Sequence, residues 1–416
     1  MPTPFAASAD GIDMGVADLG RAIAAVVAAL GAPREQVAAV GIAGIAESGA
    51  PLRAGRPAGP IIAWHDSRGE ETVASLEARF GTELPRWTGR RVRTVSSVAK
   101  LGWLIDQGLA TPDRWLGVPE LTLLLLTGAE ATEHSLAART GAYHVTERRF
   151  LPEVIAHVLG WTEPASAATP GGSSSSEGRV AAGLFPPVRA AGTAMGVVSA
   201  EAAARFGIPA GVPVTIAGHD HLAAGASLGA SADDLLNSVG TAETVFRRSD
   251  SPPDIDKALA SDLAVTLWPG GTSWGVLASA ARSGVVLDEL AATLGRSPAE
   301  LDALAGSASD AGRRWSATLA DLAGRTIAAG GRVAGLLGPH RRLVVFGGGS
   351  RSRFWLEAKA SAAGVPVLRS TLADAAARGA AVAAGVADGW WTSLSAAPTP
   401  SPLEPVPPGG ATMRPV

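Results

Sequence analysis

The chain has 416 residues, of which 47% are hydrophobic and 18% charged, so it can fill the cores of two or three globular domains and does not have a disordered composition. With 35 basic and 38 acidic residues and a net charge of −3, it lacks the basic surface that nucleic acid or an anionic membrane would need. The absence of cysteine excludes disulfides, thiolate catalysis and thiolate metal sites. The sequence starts without the basic and apolar regions of a signal peptide, and no apolar run reaches about 18 residues, so we expect a cytoplasmic protein with no membrane partner.

Helices and strands alternate along the chain. Residues 16–30 have helical periodicity and are followed by an apolar strand at 37–42. Further on, strands at 212–217 and 235–239 each lead into a polar or glycine-rich turn. The low-complexity segment 166–178 is expected to be a linker or loop.

The C-terminal part repeats this alternation. A strand at 343–346, a glycine turn, a helix at 354–363, a strand at 365–368 and a helix at 373–387 follow one another. We therefore expect an α/β fold, with the chemistry in the turns at the strand ends. The tail from residue 393 is rich in proline and serine and is expected to be mobile.

The sequence GHDH places Asp220 directly after an apolar strand. A carboxylate at the carboxyl end of a buried strand is well placed to act as a general base in a cleft. An aspartate in this position also commonly serves as a turn or helix N-cap residue, and the local sequence leaves both roles open.

Two glycine-rich turns are candidate phosphate or nucleotide sites. In NSVGTAE, Gly240 would let a phosphate approach the backbone, and Thr241 adds a hydroxyl. In VVFGGGSRSRFW, Gly347, Gly348 and Gly349 join a strand to a helix with no side chain in the way of a ligand. Both segments are also compatible with ordinary tight turns, and neither matches a GxGxxG or P-loop pattern.

Two segments near the N-terminus could face a sugar. A strand ends at Glu47, and Trp64, Asp66 and Arg68 follow at alternate positions, so that they would share one face of an extended segment. Tryptophan offers a flat face to a sugar ring, and carboxylates accept hydrogen bonds from hydroxyls. Alternatively, Trp64 belongs to the core, and Asp66 and Arg68 form an exposed ion pair.

Taken in order, these segments resemble the FGGY carbohydrate kinases, the sugar and polyol kinases of the actin-like ATPase superfamily. The resemblance covers roughly residues 16–390 and rests on motifs that stand at separations similar to those of the family. The motifs are W-x-D-x-R at 64–68, G-x-D at 218–220, S-x-G-T at 238–241, GGG at 347–349 and A-x-G-A-A at 377–381.

The resemblance implies two actin-like α/β domains of the ribonuclease H-like type. The first, at 1–228, would bind the sugar, and the second, at 229–392, would bind the nucleotide, with the tail at 393–416. ATP with Mg²⁺ would meet the sugar in the cleft between the domains. The metal ligands and the identity of the sugar are not specified by the motifs, and a homo-oligomer is compatible with them.

The resemblance also assigns roles to residues. Asp220 matches the general base that takes the proton from the attacking sugar hydroxyl. The residues that match the second phosphate motif and the adenosine motif, and would therefore hold ATP, are Gly240, Thr241, Gly347, Gly348, Gly349, Asp374 and Gly379. The residues expected to contact the substrate are Glu47, Trp64, Asp66, Arg68 and His221.

One element of the relatives has no counterpart in the sequence. They begin with a strand and hairpin carrying D-x-G-T-T, which anchors Mg²⁺ and the phosphates, and too few residues precede Glu47 to contain it. The segment Gly11 to Gly15 lacks the threonines, and we interpret it as the loop before the first helix. We therefore expect an N-terminal domain without its first strands, a neighbouring strand left as an open edge, and low solubility.

Three functions are consistent with these features. The leading hypothesis is an ATP-dependent kinase of a small sugar or polyol. The first alternative is a sugar- or nucleotide-binding relative without turnover, because the first phosphate motif is missing. The second alternative is an actin-like or chaperone-like ATPase with a protein partner, which would not need the W-x-D-x-R segment.

Overall fold

A computed structural model describes residues 3–31, 33–161, 183–398 and 403–409. The chain divides into two compact units, and the α/β class is confirmed in both. The first unit comprises 1–223, 266–272 and 376–397, and the second comprises 224–265, 273–375 and 398–416. The first crossing from one unit to the other therefore lies near the predicted boundary after residue 228, and two later segments return to the first unit. The predicted linker at 166–178 lies outside the described residues.

The three predicted helices, at 16–30, 354–363 and 373–387, are confirmed with small differences at their ends, and the structure contains further helices that the sequence did not predict. In chain order, the helices are α1 (Val16–Ala28), α2 (Glu70–Phe80), α3 (Glu83–Thr88), α4 (Ser97–Asp106), α5 (Val118–Thr127), α6 (His134–Ala137), α7 (Pro152–Val158), α8 (Ala200–Phe206), α9 (Asp220–Ser227), α10 (Ile255–Ala260), α11 (Ser283–Leu294), α12 (Pro298–Leu304), α13 (Asp310–Leu337), α14 (Arg353–Ala362) and α15 (Ala375–Ala387). Within the described parts of the chain, none of these helices is both long and apolar enough to cross a membrane.

Three main sheets organise the two units. In the first unit, one sheet contains β1 (Ala6–Ala7), β2 (Ile12–Met14), β6 (Ile61–Ile62), β4 (Gly49–Arg53), β5 (Arg56–Pro57) and β7 (Arg114–Gly117), and another contains β12 (Gly196–Val197), β13 (Pro213–His219) and β3 (Val40–Gly44). Two short strand pairs lie beside these sheets in the same unit: β8 (Thr132–Glu133) with β11 (Val188–Arg189), and β9 (Tyr143–His144) with β10 (Arg149–Phe150). The sheet of the second unit runs β16 (Ala264–Leu267), β17 (Trp274–Ala281), β15 (Glu243–Ser249), β14 (Asp234–Val239), β18 (Arg342–Phe346), β19 (Val367–Arg369) and β20 (Glu404–Val406).

The parallel pair of β3 and β13 forms the centre of the sheet that carries the candidate base. An apolar cluster that includes Ile42, Val214 and Ile216 packs this sheet against the helices around it. Only β13 pairs with β3 among the described residues, and four of the five residues of β3 are half-buried. In the structure as described, β3 therefore has one hydrogen-bonding edge without a partner strand.

The segment Gly11 to Gly15 is not a loop, as the sequence predicted, but contains strand β2. Asp13 and Met14 pair antiparallel with Ile62 and Ile61. The Ile12 amide donates to the Asp66 carboxylate at 2.7 Å. The error arose because a three-residue strand gives no periodic signal, one of its partners (β1) has only two residues, and the other (β6) lies some fifty residues away in the chain.

The described residues of the C-terminal tail form defined structure, contrary to the prediction of a mobile segment. Strand β20 adds to the edge of the second unit's sheet by pairing antiparallel with β19. Glu404 accepts hydrogen bonds from Arg369 at 2.6 and 3.2 Å, and the Gly409 amide donates to the Ser361 hydroxyl at 2.9 Å. These contacts fix a proline-rich segment whose composition alone indicated disorder.

Candidate active site

Asp220 lies where β13 ends and α9 begins. The register of the parallel pair sets Gly44 of β3 against His219 of β13, so the chain segments that follow both strands leave the same edge of the sheet. The Asp220 Oδ1 atom accepts a hydrogen bond from the His221 amide at 2.7 Å and lies 3.4 Å from His219 Nε2. The carboxylate is partly exposed and free of any arginine or lysine ion pair among the described residues, which suits a proton acceptor.

The turn before Asp220 depends on glycine at 218. Gly218 has φ +113°, and a Cβ there would lie 2.5 Å from Ser135 Oγ and 2.7 Å from Glu133 Oε2. The Ser135 hydroxyl accepts from the His219 amide at 2.9 Å and donates to Glu133 at 2.5 Å. Helix α6 therefore supports the backbone that carries the candidate base.

Glu133 is a fully buried carboxyl behind this turn. It accepts from the amides of Ser135 at 2.7 Å and Gly270 at 2.9 Å, both within the first unit. Burial raises the pKa of the Glu133 carboxyl to about 7, although the bonds from Ser135 and Gly270 favour the charged form. Sequence analysis missed this residue, because nothing in its neighbourhood distinguishes it from a surface glutamate.

Glu47 sits three residues beyond the end of β3, in a left-handed conformation with φ +65°. Its Oε1 atom accepts from Arg90 Nη1 at 3.1 Å and from Arg139 Nη2 at 2.6 Å. Burial, together with the neighbouring Arg139, lowers the pKa of Arg90 to about 10. The sequence identified Glu47 but not the two arginines.

Trp64 lies near Glu47, since its amide donates to the hydroxyl of Ser48 at 2.8 Å. Its side chain is half-buried and packs edge-on against the His65 ring, with centroids 5.3 Å apart. The segment after β6 turns at this point, with the Asp66 amide donating to the Ala63 carbonyl at 3.1 Å. The expected extended segment with one shared face is therefore wrong.

Asp66 and Arg68 are bonded inside the protein and do not form an exposed ion pair. Arg68 donates to Asp66 Oδ1 from its amide at 2.8 Å and from Nε at 2.9 Å, and it also pairs with Asp13. Lys100, which is fully buried, donates to the Asp66 carbonyl. Burial acts to raise the pKa of Asp66, but the bonds from Arg68 and Ile12 outweigh it and hold that pKa at about 2. These two side chains fix the loop that carries Trp64.

One group of possible metal ligands occurs among the residues that the structure describes. Ligand atoms of His219, Asp220 and His221 lie within 4.8 Å of one another. Two imidazoles with one carboxylate suit zinc-like ions, whereas Mg²⁺ prefers oxygen ligands, so Asp220 is the member of this group that fits Mg²⁺.

In the second unit, the two predicted phosphate turns lie side by side. Gly240 and Thr241 form the exposed tip between β14 and β15. A Cβ on Gly347, which has φ +95°, would lie 2.6 Å from the Val239 carbonyl oxygen, and one on Gly349 would lie 2.3 Å from a Val239 methyl group. Because two turns from distant parts of the chain approach this closely, backbone amides from both can serve one ligand.

A buried polar cluster lies directly beneath the Gly240–Thr241 turn. Glu243 accepts from Ser283 Oγ at 2.5 Å, from Thr326 Oγ1 at 2.7 Å and from Asn237 Nδ2 at 3.1 Å, and it pairs with Lys359. Lys359 also donates to Asn237 and Thr326. The cluster joins the foot of the hairpin to α11, α13 and α14, and sequence analysis missed it.

The two remaining predicted nucleotide residues flank the start of α15. Asp374 is exposed and precedes the helix in the second unit. Gly379 is buried in the first unit, where a Cβ would lie 2.2 Å from the Ala223 carbonyl oxygen. Gly379 therefore allows α15 to pack tightly against α9.

The fold is shared with solved kinase structures. A structure described as a xyloylose kinase from Brucella ovis superposes with a TM-score of 0.79 at 21% identity, covering 99% of this chain and 89% of that one. The xylulose kinase from Rhodospirillum rubrum gives 0.77 at 21% identity with the same coverage of both chains. These similarities define a protein of the two-domain, actin-like α/β class.

Sequence comparison identifies the family. Residues 12–227 match the N-terminal domain of the FGGY family of carbohydrate kinases and residues 286–387 its C-terminal domain, so the chain belongs to this family. It is 27% identical over 209 residues to the L-fuculokinase of Escherichia coli (strain K12). The aligned region covers 49% of this chain and 39% of that protein. A 58-residue stretch is 43% identical to the glycerol kinase of Trichormus variabilis, covering 14% of this chain and 12% of that protein. The matched region thus spans about two fifths of the fuculokinase and less of the glycerol kinase.

Proposed function

We propose that the chain transfers the γ-phosphoryl group of ATP to a hydroxyl of a small sugar or polyol. The observation that carries the proposal is the position of Asp220, at the carboxyl end of β13 and on the sheet edge from which the Glu47 segment also leaves. Membership of the FGGY family supports the same reaction. The turns at Gly240–Thr241 and Gly347–Gly349 supply backbone amides suited to the phosphates.

In this reaction, the acceptor oxygen attacks the γ-phosphorus, and the bond between that phosphorus and the oxygen bridging to the β-phosphate breaks. ADP leaves with the electron pair of that bond, and the Asp220 carboxylate takes the proton of the acceptor hydroxyl. Phosphoryl transfer depends mainly on positioning and on neutralising charge, so one oriented carboxylate is sufficient as the base. Mg²⁺ would supply charge neutralisation for the phosphates, and Asp220 is the carboxylate among the candidate ligands that would suit it.

The five residues that the sequence predicted to contact the substrate divide into two groups. Glu47, Trp64 and His221 are close to the strand ends that position Asp220, and we assign them to the acceptor. Asp66 and Arg68 have protein partners, and we assign them to holding the Trp64 loop.

The test is acceptor-dependent ADP release from ATP and Mg²⁺ by the purified full chain, measured over pentuloses, hexuloses, aldoses, alditols and sugar acids. Asp220→Asn should lower the turnover number by about 10²- to 10⁴-fold while ATP still binds. Asp288→Asn, at an exposed position of α11, is the matched control and should leave turnover unchanged. Unchanged turnover in Asp220→Asn would reject the base assignment, and acceptor binding without ADP release would favour a binding protein.

A further inference from the structure

The strand that carries the candidate base is irregular at its end. The register between β13 and β3 shifts between Ile216 and Gly218, as in a β-bulge, and Gly218 has φ +113°. Bulges next to functional sites re-aim the side chains that follow them. Asp220 comes two residues after this bulge, and its Oδ1 atom accepts from the His221 amide at 2.7 Å, so the carboxylate is tied to the local backbone. The direction of the carboxylate therefore depends on what holds the bulged end of β13.

A chain of two hydrogen bonds holds this end from the side of α6. The His219 amide donates to Ser135 Oγ at 2.9 Å, and the Ser135 hydroxyl donates its only proton to Glu133 Oε2 at 2.5 Å. Because an amide nitrogen can only donate, the direction of both bonds is fixed. Glu133 also accepts from the amides of Ser135 at 2.7 Å and Gly270 at 2.9 Å. A hydrogen bond to a carboxylate is stronger than one between neutral groups, so Glu133 anchors the chain.

The ionised form of Glu133 fits these bonds better than the protonated form. Its donors are the Ser135 hydroxyl and the backbone amides of His134, Ser135 and Gly270. An ionised carboxylate offers about four acceptor positions, and a proton on either oxygen takes one of them away. Burial opposes the charge and raises the pKa of Glu133 to about 7. Ionisation of Glu133 therefore completes the hydrogen-bond chain at a cost in stability.

Other titratable and charged groups also surround Glu133. Burial raises the pKa of the Tyr143 phenol and lowers those of His134 and His219, so these three side chains are neutral at pH 7. Arg148 acts on Tyr143 and His134, and Arg189 of β11 is exposed at the register position opposite Glu133. Both arginines keep their charge over the whole neutral range. Within this group, Glu133 is the side chain that changes charge around pH 7.

We propose that Ser135 and Glu133 are positioning residues for the phosphoryl transfer, because their hydrogen-bond chain holds the bulged end of β13 and so aims the Asp220 carboxylate at the acceptor hydroxyl. This inference rests on the proposed function. Both side chains act through the His219 amide, and neither is assigned a contact with ATP or the acceptor. A misdirected catalytic group slows the chemical step without weakening substrate binding, so the effect belongs to kcat and not to KM.

Ser135→Thr and Ser135→Val test the chain as a matched pair. The two new side chains have the same shape and only threonine has the hydroxyl, so the effect of the added methyl group at this fully buried position is common to both. ADP release by the full chain is measured with ATP, Mg²⁺ and the best acceptor found. The kcat of Ser135→Val should lie about 10- to 100-fold below that of Ser135→Thr, with each KM within about threefold. Thr215→Val removes a buried hydroxyl without a hydrogen-bond partner from the same strand, and this control should leave kcat within about twofold.

The pH profile of kcat tests Glu133. In the native protein, kcat should rise as the pH increases through about 7, because loss of the Glu133 proton completes the chain. Glu133→Gln should have a lower kcat and should lose this rise between pH 6 and 8. Both proteins share Asp220 and His221, so the contributions of these two residues cancel in the comparison. Glu147→Gln, at an exposed position, is the control and should keep the rise. If the added methyl group prevents folding in the Ser135 pair, Ser135→Ala replaces it and should show the same loss of kcat against the native protein.

The inference and the proposed function fail in different ways. If Asp220→Asn lowers turnover but Ser135→Val and Ser135→Thr have the same kcat, the kinase proposal stands and the positioning inference is overturned. Lower stability with an unchanged kcat, or with a higher KM for both substrates, would also overturn it, since those patterns mark a structural role. A rise of kcat through pH 7 that persists in Glu133→Gln rejects the part assigned to Glu133. If the native chain releases no ADP with any acceptor, the proposed function fails and the inference fails with it.

Discussion

Lys359 and Glu243 form an ion pair inside the second unit, with 1% and 0% of the respective residues exposed to solvent. Asn237, Thr326 and Ser283 satisfy the remaining polar atoms around the pair. Glu243 is the first residue of β15, so the pair anchors the hairpin whose tip is the proposed phosphate turn. The pair positions the hairpin but adds little net stability, because the cost of desolvating the two charges offsets much of their attraction.

Lys359→Met should lower the free energy of unfolding of the second unit by about 3–5 kcal/mol, because it leaves Glu243 buried without a counter-charge. Urea unfolding followed by tryptophan fluorescence is a suitable measurement, since Lys359 Nζ lies 4.8 Å from the centroid of the Trp355 ring. The control is Lys257→Met at an exposed pair with Asp254, which should change the value by less than about 0.5 kcal/mol.

A second variant separates the charge from the packing. Lys359→Met combined with Glu243→Gln removes both charges and should recover a large part of the lost stability. If the single and double variants are equally unstable, the loss comes from packing of the lysine stem and not from the unpaired carboxylate. In either variant, weaker ATP binding with an intact fold would indicate that the pair positions the turn.

Gly347→Ala should weaken ATP binding and destabilise the second unit. The native φ of +95° is unfavourable for alanine, and the added Cβ would lie 2.6 Å from the Val239 carbonyl oxygen. We expect a stability loss of about 1–3 kcal/mol and an increase in the dissociation constant for ATP, measured by calorimetry without an acceptor. Gly348→Ala is the control for stability alone, since a Cβ there meets no protein atom within 4 Å.

The two glycine variants also test the nucleotide assignment itself. If Gly347→Ala lowers stability but leaves the affinity of the folded protein for ATP unchanged, the turn is structural and its nucleotide role is contradicted. If Gly348→Ala alone weakens ATP binding, the nucleotide lies against the open side of the turn.

Glu133 should make the protein less stable as the pH rises through the range from about 4.5 to about 7. Its pKa is about 7 in the folded state because of burial and close to 4.5 in the unfolded chain, so the folded state holds the extra proton in this interval. The stabilisation is complete below pH 4.5 and is lost as the pH rises through 7. The expected change is about 3 kcal/mol at 1.36 kcal/mol per pH unit.

The measurement for Glu133 is the free energy of unfolding in urea between pH 4 and 8. Glu133→Gln should flatten this pH profile relative to the native protein, whatever its effect at a single pH. Glu147→Gln, at an exposed position, is the control. An unchanged pH profile in Glu133→Gln would mean that the carboxyl titrates in the usual range.

The sequence was sufficient for the alternating elements and for the residues that follow long apolar strands. An apolar strand of several residues is recognisable in the sequence, and the residue that follows it is then expected in a turn. This reasoning selected Asp220, Gly240 and Gly347, and in the structure they follow strands β13, β14 and β18. The functional interpretation of these residues came from the order and separation of the motifs, which resemble those of the family, because each motif alone is also compatible with an ordinary turn.

The charged interior was not predictable from the sequence. Arg90 is buried while its neighbour Arg91 is exposed, and no local pattern distinguishes the two. Lys359 and Glu243 are 116 positions apart and meet only after the second unit has folded. Asp66 and Arg68 were read as a substrate-facing pair because alternation suggests a strand, whereas a turn at Ala63 directs them into the protein. In each case long-range contacts, and not local propensity, decide the environment of the charge.

Asp66→Asn should destabilise the first unit without changing the affinity for the acceptor, because its carboxylate bonds to Arg68 and Ile12 within the protein. We expect a loss on the order of 2 kcal/mol for a hydrogen-bonded charge, measured by urea unfolding at pH 7. The pKa of about 2, against 3.8 unfolded, means that the native contribution is complete above pH 3.8 and is lost as the pH falls towards 2. Asp106→Asn, at an exposed position of α4, is the control and should change stability by less than about 0.5 kcal/mol. A large increase in the KM for the acceptor, with stability unchanged, would show instead that Asp66 contacts the substrate.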